Sequence, residues 1–421
     1  MILKKIKDSL NLSLVSNFFS LVILQGANYL FPLLTVPYLF KTLGVDTFGL
    51  INFATAFVQY FVILTDFGFN LSATKYIAAN RDDKVKRDYY FVNVLASKFV
   101  LFFIGLILML IIIFSFDKFS SNKMVYLLSY GSVFGGVLLP IWFFQGMEQM
   151  KYVTKITLVT RTLSILPIFF LVKSDSDYLL VPLFYSIGST LAGIIALYYA
   201  HKKFNVSFNL KQKSSLQGMI LSLKESLYFF ISRISLSLYT ISNTFVLGLL
   251  LGNTAVGYYA AAEKLYTALQ SMYGPLNQAL YPYMVKSQNF KVFKKIFLVV
   301  VLINCIGIPI CIYESDFIMK IIYHVISSES VLVLKILLGG CLITVPSVLL
   351  GYPLLGAFGY TRYTNLTVII SSVFHVVMLM LLVLFDSLTI YSVASLVVVT
   401  ELIVLGLRIK GVKEKIIVNI V

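Results

Sequence analysis

Apolar runs of about 20 residues recur from Phe18 to Leu407 with short polar breaks between them, and no other feature constrains the fold as much. A run of that length crosses the ~30 Å hydrocarbon core of a bilayer as a helix, which satisfies every backbone donor and acceptor within its own segment. A membrane β-barrel would alternate over ~10-residue segments, whereas the stretch from Phe99 to Phe116 is apolar on every face. With 59% hydrophobic and 12% charged residues, the chain carries about half the charge of a soluble globular protein. The expected fold class is therefore all-α integral membrane, with twelve transmembrane helices.

The spans are expected at 17–40, 48–78, 90–114, 124–146, 153–172, 178–200, 222–248, 256–284, 292–313, 331–353, 364–385 and 388–407. Residues 1–16, with basic residues but no compact apolar core or small-residue cleavage site, read as a cytoplasmic interfacial helix rather than a removable signal. Residues 17–200 and 222–407 are expected to form two six-helix bundles around a central cavity. Residues 201–221 form the cytoplasmic linker between them, and 408–421 a cytoplasmic tail.

Thirty-four Lys+Arg against 18 Asp+Glu give a net charge of +16. In a soluble protein that surplus would suggest nucleic acid; in a membrane protein it follows from the retention of Lys and Arg in cytoplasmic loops, so no nucleic-acid partner is expected. With the N-terminus inside, 23 basic residues fall on the cytoplasmic side and 5 on the other, where Asp46, Asp117, Asp175, Asp177 and Glu314 also collect. Both termini are expected to be cytoplasmic, which requires an even number of spans. Cys305, Cys311 and Cys341 sit in apolar segments without metal-ligand spacing, so no metal site is expected. The longest connections, Glu314–Ser330 outside and His201–Leu221 inside, leave no room for a catalytic domain. The protein reads as no enzyme, working instead between its helices.

An internal duplication is visible. Leu43-Gly44-Val45-Asp46-Thr47-Phe48-Gly49 returns 208 residues later as Leu251-Gly252-Asn253-Thr254-Ala255-Val256-Gly257. A second echo pairs the segment Gln145–Tyr152 with Leu355–Tyr363. Each lies in a corresponding loop of a 6+6 arrangement. Six spans being an even number, the copies would share orientation as parallel repeats.

The segments FPLLTVPYLFKTLGVDTFGLINFATAF (31–57), DFGFNLSATKYIA (66–78) and PIWFFQGMEQMKYVTK (140–155) resemble the motifs of bacterial Wzx-type polysaccharide flippases, of the multidrug/oligosaccharidyl-lipid/polysaccharide exporter superfamily. The resemblance covers all twelve spans in topology and is sharpest in spans 1 to 5. It implies a flippase of the bacterial inner membrane that moves an undecaprenyl-pyrophosphate-linked oligosaccharide, an O-antigen or capsule repeat unit, from the cytoplasmic to the periplasmic leaflet by alternating access. Polysaccharide polymerase machinery is an implied partner. Where family members usually carry Arg this chain has Lys41, which keeps the charge and loses the bidentate fork.

Deep charges point the same way. Lys98, Arg161, Arg233 and Lys264 lie inside apolar segments, where an unpaired charge costs at least ~2.5 to 3.5 kcal/mol and normally faces water or a partner. They are the candidate cavity cations for a pyrophosphate. Lys98 could instead snorkel to the edge, and Lys264, beside Glu263, could be structural. Asp66, Glu263 and His375 are candidates for H⁺ or Na⁺ coupling, no other cofactor being expected; a lone membrane histidine is more often a packing residue. Asp66 precedes Gly68 in a span longer than one helix needs, which allows a break there. Pro32 and Pro37, five apart in span 1, are a candidate gating hinge, since each removes a helical hydrogen bond. Trp142 could stack on sugars but reads more readily as an anchor or core residue.

Two other functions compete. A cation-coupled multidrug exporter of the same superfamily would want acids rather than Lys and Arg in its cavity, and a membrane-bound polysaccharide polymerase or ligase would want a large periplasmic loop.

Overall fold

A computed structural model describes residues 2–207, 215–324 and 327–418. The side chains of 1–18 lie outside the described ones, and with them the expected interfacial face of 1–16; so do residues 208–214 of the linker and 419–421 of the tail. All the regular structure described is helical, without a strand. Nine of the described helical stretches are long and apolar enough to cross a bilayer. The stretch Val22–Ala79 holds the first two expected spans in one. Thr240–Leu250, within the seventh expected span, is a further apolar helix shorter than a crossing, and the described helices are roughly consistent with twelve crossings.

By their contacts the residues fall into two compact units, 1–31 with 53–234 and 32–52 with 235–421. Two helices pass from one unit to the other. The first, α1 (Ile2–Asp66), keeps helical dihedrals through Pro32 and Pro37 and departs from them at Gly44 (φ 74°, ψ 169°). The other is α9 (Leu216–Leu250), which leaves the first unit at Ile234.

The first unit also holds α2 (Phe69–Ala79), α3 (Lys84–Ser115), α4 (Asp117–Ser120), α5 (Lys123–Leu138), α6 (Ile141–Gly146), α7 (Met150–Leu171) and α8 (Leu180–Phe204). Small residues let its helices close up. A Cβ on Gly131 would lie 2.8 Å from the Ser186 Cβ, one on Gly135 would strike the Ser189 backbone, and one on Gly188 would strike Ser164. In lipid, where apolar area gives helices no reason to associate, such close approach supplies the packing energy. Pro140, lacking an N–H, ends α5 and starts the short α6. Trp142 on α6 is 1% exposed beside Phe91 and Phe143, in the core.

The start of α3 ties down the chain that follows α8. Asp83 caps α3 through the Lys86 N–H, and this bond holds its carboxyl below the usual range. Arg87 pairs with the fully buried Asp88 and donates to Phe204 O, while Asp88 accepts from Ser207 N–H and Asn93 from Ser215 N–H. Both described ends of the 205–215 connection are thus anchored on the first turns of one helix, α3.

The second unit adds α10 (Asn253–Ser271), α11 (Gly274–Ser287), α12 (Phe290–Tyr313), α13 (Ser315–Tyr323), α14 (Ser328–Leu349), α15 (Thr361–Leu384) and α16 (Ile390–Val412), with a π-helical turn, Leu350–Gly356, after α14. Its core gathers Leu280, Met284, Phe293, Leu350, Leu354 and Val412.

The sequence duplication is a duplication of backbone shape. Gly252 (φ 94°, ψ 179°) repeats the conformation of Gly44, one that a side chain would strain. Within the second unit the two motif copies also pack on each other. A Cβ on Gly49 would strike Asn253 O, and one on Gly257 would strike Val45 O. Because 45 and 253, like 49 and 257, are equivalent positions, the contact is self-complementary about a local pseudo-two-fold axis. Thr254 closes it by donating to Asp46 Oδ1 at 2.8 Å. The second echo is also real, at a single offset of 211. Met147 N–H bonds Phe143 O and Gln149 N–H bonds Phe144 O, as Phe358 bonds Leu354 and Tyr360 bonds Leu355, around positive φ at Glu148 and Gly359.

Candidate functional site

The break between α1 and α2 builds the site of the first unit. Phe67 (φ 43°) and Gly68 (φ 78°) turn the chain. A Cβ on Gly68 would lie 2.8 Å from Phe229 Cβ, so glycine admits both the turn and the close approach of α9, against which Phe67 stacks on Phe230 at 4.2 Å. Asp66 therefore ends a helix inside the membrane span at 9% exposure. Its Oδ1 accepts from Asn70 Nδ2, while its buried Oδ2 has no hydrogen-bond partner.

Two of the four expected cations, Lys98 of α3 and Arg233 of α9, act on this carboxylate through their charge. Lys98 is 3% exposed and donates to Gly136 O of α5 at 2.8 Å, so its ammonium is held inside the unit rather than drawn out to the interface. Arg233 is exposed. Arg161 of α7 belongs to the same unit but interacts with Tyr185 of α8 instead. Of the expected residues the first unit thus holds one buried ammonium, Lys98, two more accessible guanidinium groups, Arg161 and Arg233, and the buried carboxylate of Asp66.

The other expected residues lie in the second unit. Glu263 and Lys264 of α10 are both half-buried, and Glu263 accepts from Thr244 Oγ1 at 3.4 Å. His375 of α15 is fully buried, with Nδ1 2.8 Å from Thr400 Oγ1 and Nε2 2.8 Å from Asn243 Oδ1. Both ring nitrogens are therefore occupied by neighbouring side chains. Pro32 and Pro37 sit within the helical stretch of α1 before Gly44. No cluster of three metal-ligating side chains occurs among the described residues.

Sequence reasoning missed two features of the site. Gly136 is a ligand to Lys98 through its carbonyl, which no side-chain pattern could reveal. Arg408, counted with the basic flank of the last span, is 7% exposed inside the second unit.

A helical chain that breaks its second span to seat a carboxylate among cations, on a duplicated scaffold, is a multi-pass membrane protein of the exporter type of fold. Residues 14–288 match the family of polysaccharide biosynthesis proteins, and the chain belongs to that family. It is 36% identical over 272 residues, 64% of this chain and 65% of the relative, to an Escherichia coli K12 protein described as "Putative O-antigen transporter". A Shigella dysenteriae protein of the same description is 31% identical over 286 residues, 66% of this chain and 69% of its own length. The match to the Escherichia coli relative spans just under two thirds of that protein. In fold the chain is similar to lipid II flippase MurJ in an inward closed conformation (TM-score 0.73, 14% identity, 96% of this chain and 87% of that one). It is also similar to an outward-facing MATE family transporter of the MOP superfamily (TM-score 0.61, 14% identity, 96% of both chains).

Proposed function

We propose that the protein is a flippase for an undecaprenyl-pyrophosphate-linked oligosaccharide, an O-antigen or capsule repeat unit, moving it from the cytoplasmic to the periplasmic leaflet of the bacterial inner membrane. The observation that carries this reading is the set of deep cations in the first unit, Lys98, Arg161 and Arg233, two of which act on the buried carboxylate of Asp66. A diphosphate brings two or more negative charges, and a low-dielectric surround makes each cation count for more than it would in water. A cationic drug would meet repulsion at the same place. The guanidinium groups of Arg161 and Arg233 take the phosphate oxygens, and Lys98, held by Gly136 O, supplies fixed positive potential behind them. Asp66, with Oδ2 unbonded, is the group we assign to H⁺ or Na⁺ coupling. Alternating access is supported by the paired motifs, whose Gly49 and Gly257 contacts hold by backbone approach and one hydrogen bond, an interface able to part without stranding buried charge.

The test is substitution at the two arginines in a flippase-deficient strain. Arg161→Ala and Arg233→Ala should each abolish surface polysaccharide at normal membrane abundance, and Arg→Lys should retain part, since only the planar fork is lost. Full complementation by both alanine variants would overturn the cationic site. Orientation is tested separately: reporter fusions after Lys213 and Lys295 should read cytoplasmic and one near Ser327 periplasmic. A periplasmic signal after Lys213 would defeat the topology.

A further inference from the structure

The second unit contains a built pocket that the function above does not use. Arg408, near the end of α16, turns inward and donates from Nη1 to Ser347 O at 2.8 Å and Ser347 Oγ at 3.3 Å, and from Nε to Thr367 Oγ1 at 3.4 Å. These bonds hold the guanidinium under the π-helical turn, where Gly351 (φ −70°, ψ −114°) leaves helical geometry. A Cβ on Gly351 would stand 3.0 Å from Arg408 Cζ, so a glycine there makes room for the guanidinium. Departures of this kind from α-helical bonding concentrate at functional sites.

Arg408, Asn277, Tyr281, Val348, Tyr352 and Pro353 line a cavity of about 300 Å³. The Asn277 Oδ1 is buried without a hydrogen-bond partner. Tyr281 and Tyr352 meet edge to face at 6.2 Å, and the Tyr352 hydroxyl is engaged by Asn365. The lining is thus a permanent cation, an acceptor in want of a donor, and otherwise largely apolar surface. An apolar guest would leave Asn277 unsatisfied, and a cationic guest would be repelled by Arg408. What fits all three elements is an anion with a neighbouring N–H or O–H, attached to a hydrocarbon chain. Planar guanidinium groups favour phosphate oxygens.

We propose that this pocket binds the phosphate of a lipid headgroup, Arg408 taking the phosphate oxygens and Asn277 Oδ1 accepting from a hydroxyl or amine beside it. A bilayer phospholipid and a polyprenyl phosphate share this chemistry. The proposal stands apart from the arginines of the first unit and is read by binding, so its failure and that of the transport reading are distinguishable.

The full chain, purified in detergent, is titrated in native mass spectrometry with phosphatidylglycerol, with undecaprenyl phosphate, and with the matching diacylglycerol that lacks phosphate. At least one phosphate lipid should bind tenfold or more tightly than diacylglycerol. Tighter binding of phosphatidylglycerol assigns the site to bilayer lipid; tighter binding of undecaprenyl phosphate assigns it to the transported class. Asn277→Leu, outside the bonds that hold Arg408, should weaken that binding threefold or more, and Arg408→Gln tenfold or more. Should Arg408→Gln fail to fold, because it also loses the Ser347 and Thr367 bonds, Arg408→Lys with Asn277→Leu carries the test. Equal binding of phosphate lipids and diacylglycerol overturns the proposal, as does unchanged affinity in both of those variants.

Discussion

Gly257→Leu is expected to reduce surface polysaccharide in a flippase-deficient strain to background, and Gly49→Leu to do the same. A Cβ at either position runs into the backbone of the other motif copy, at Val45 and Asn253 respectively. Backbone has no rotamer by which to yield, so a bulky side chain must push the two copies apart and lengthen the Thr254–Asp46 bond. The pseudo-two-fold relation makes a sharper claim, that the two substitutions act on one contact. The double variant should therefore be no worse than either single, because the contact is already open. Gly307→Leu on α12, where a Cβ meets nothing within 4 Å, is the control and should complement fully. Full complementation by Gly257→Leu at normal abundance would show that the contact does not matter to transport.

The same motif shows how far a sequence of this kind can be read. Span positions were legible because the hydrocarbon core imposes length and apolarity on each helix, and the duplication was legible because glycine is the residue a positive φ selects, as at Gly44 and Gly252. That the copies touch each other was not legible, since contact between segments 208 residues apart leaves no local trace. For the second echo, Gly146 and Gly356 offered a tempting alignment, yet the hydrogen bonds pair Glu148 with Gly359; a non-glycine at positive φ hid the register. Among the site residues, charge depth brought attention to Lys98 and Arg233, but the carbonyl that holds Lys98 belongs to backbone and is silent in sequence. Arg408 was hidden for a different reason: basic residues cluster at cytoplasmic helix ends for topological reasons, and one that turns inward looks like the rest.

Lys98 and Asp66 give the second large effect, through stability as well as function. Lys98→Met removes the bond to Gly136 O and one of the two cations that act on Asp66, leaving a buried carboxylate with an unbonded oxygen. Lys98 and Asp66 act on each other through their charges, so removing one leaves the other's buried charge less compensated, whereas replacing both by neutral groups of similar size is often close to neutral. Membrane abundance of Lys98→Met should therefore fall several-fold, and Asp66→Asn combined with Lys98→Met should recover it. Surface polysaccharide decides what the pair is for. If Lys98 only stabilises the fold, the double variant, restored in amount, should restore transport as well. If Lys98 supplies potential for the pyrophosphate and Asp66 carries the coupling ion, the double variant should be abundant and inactive. Abundance and transport would then part company in a single protein, which no purely structural role for these two residues can produce.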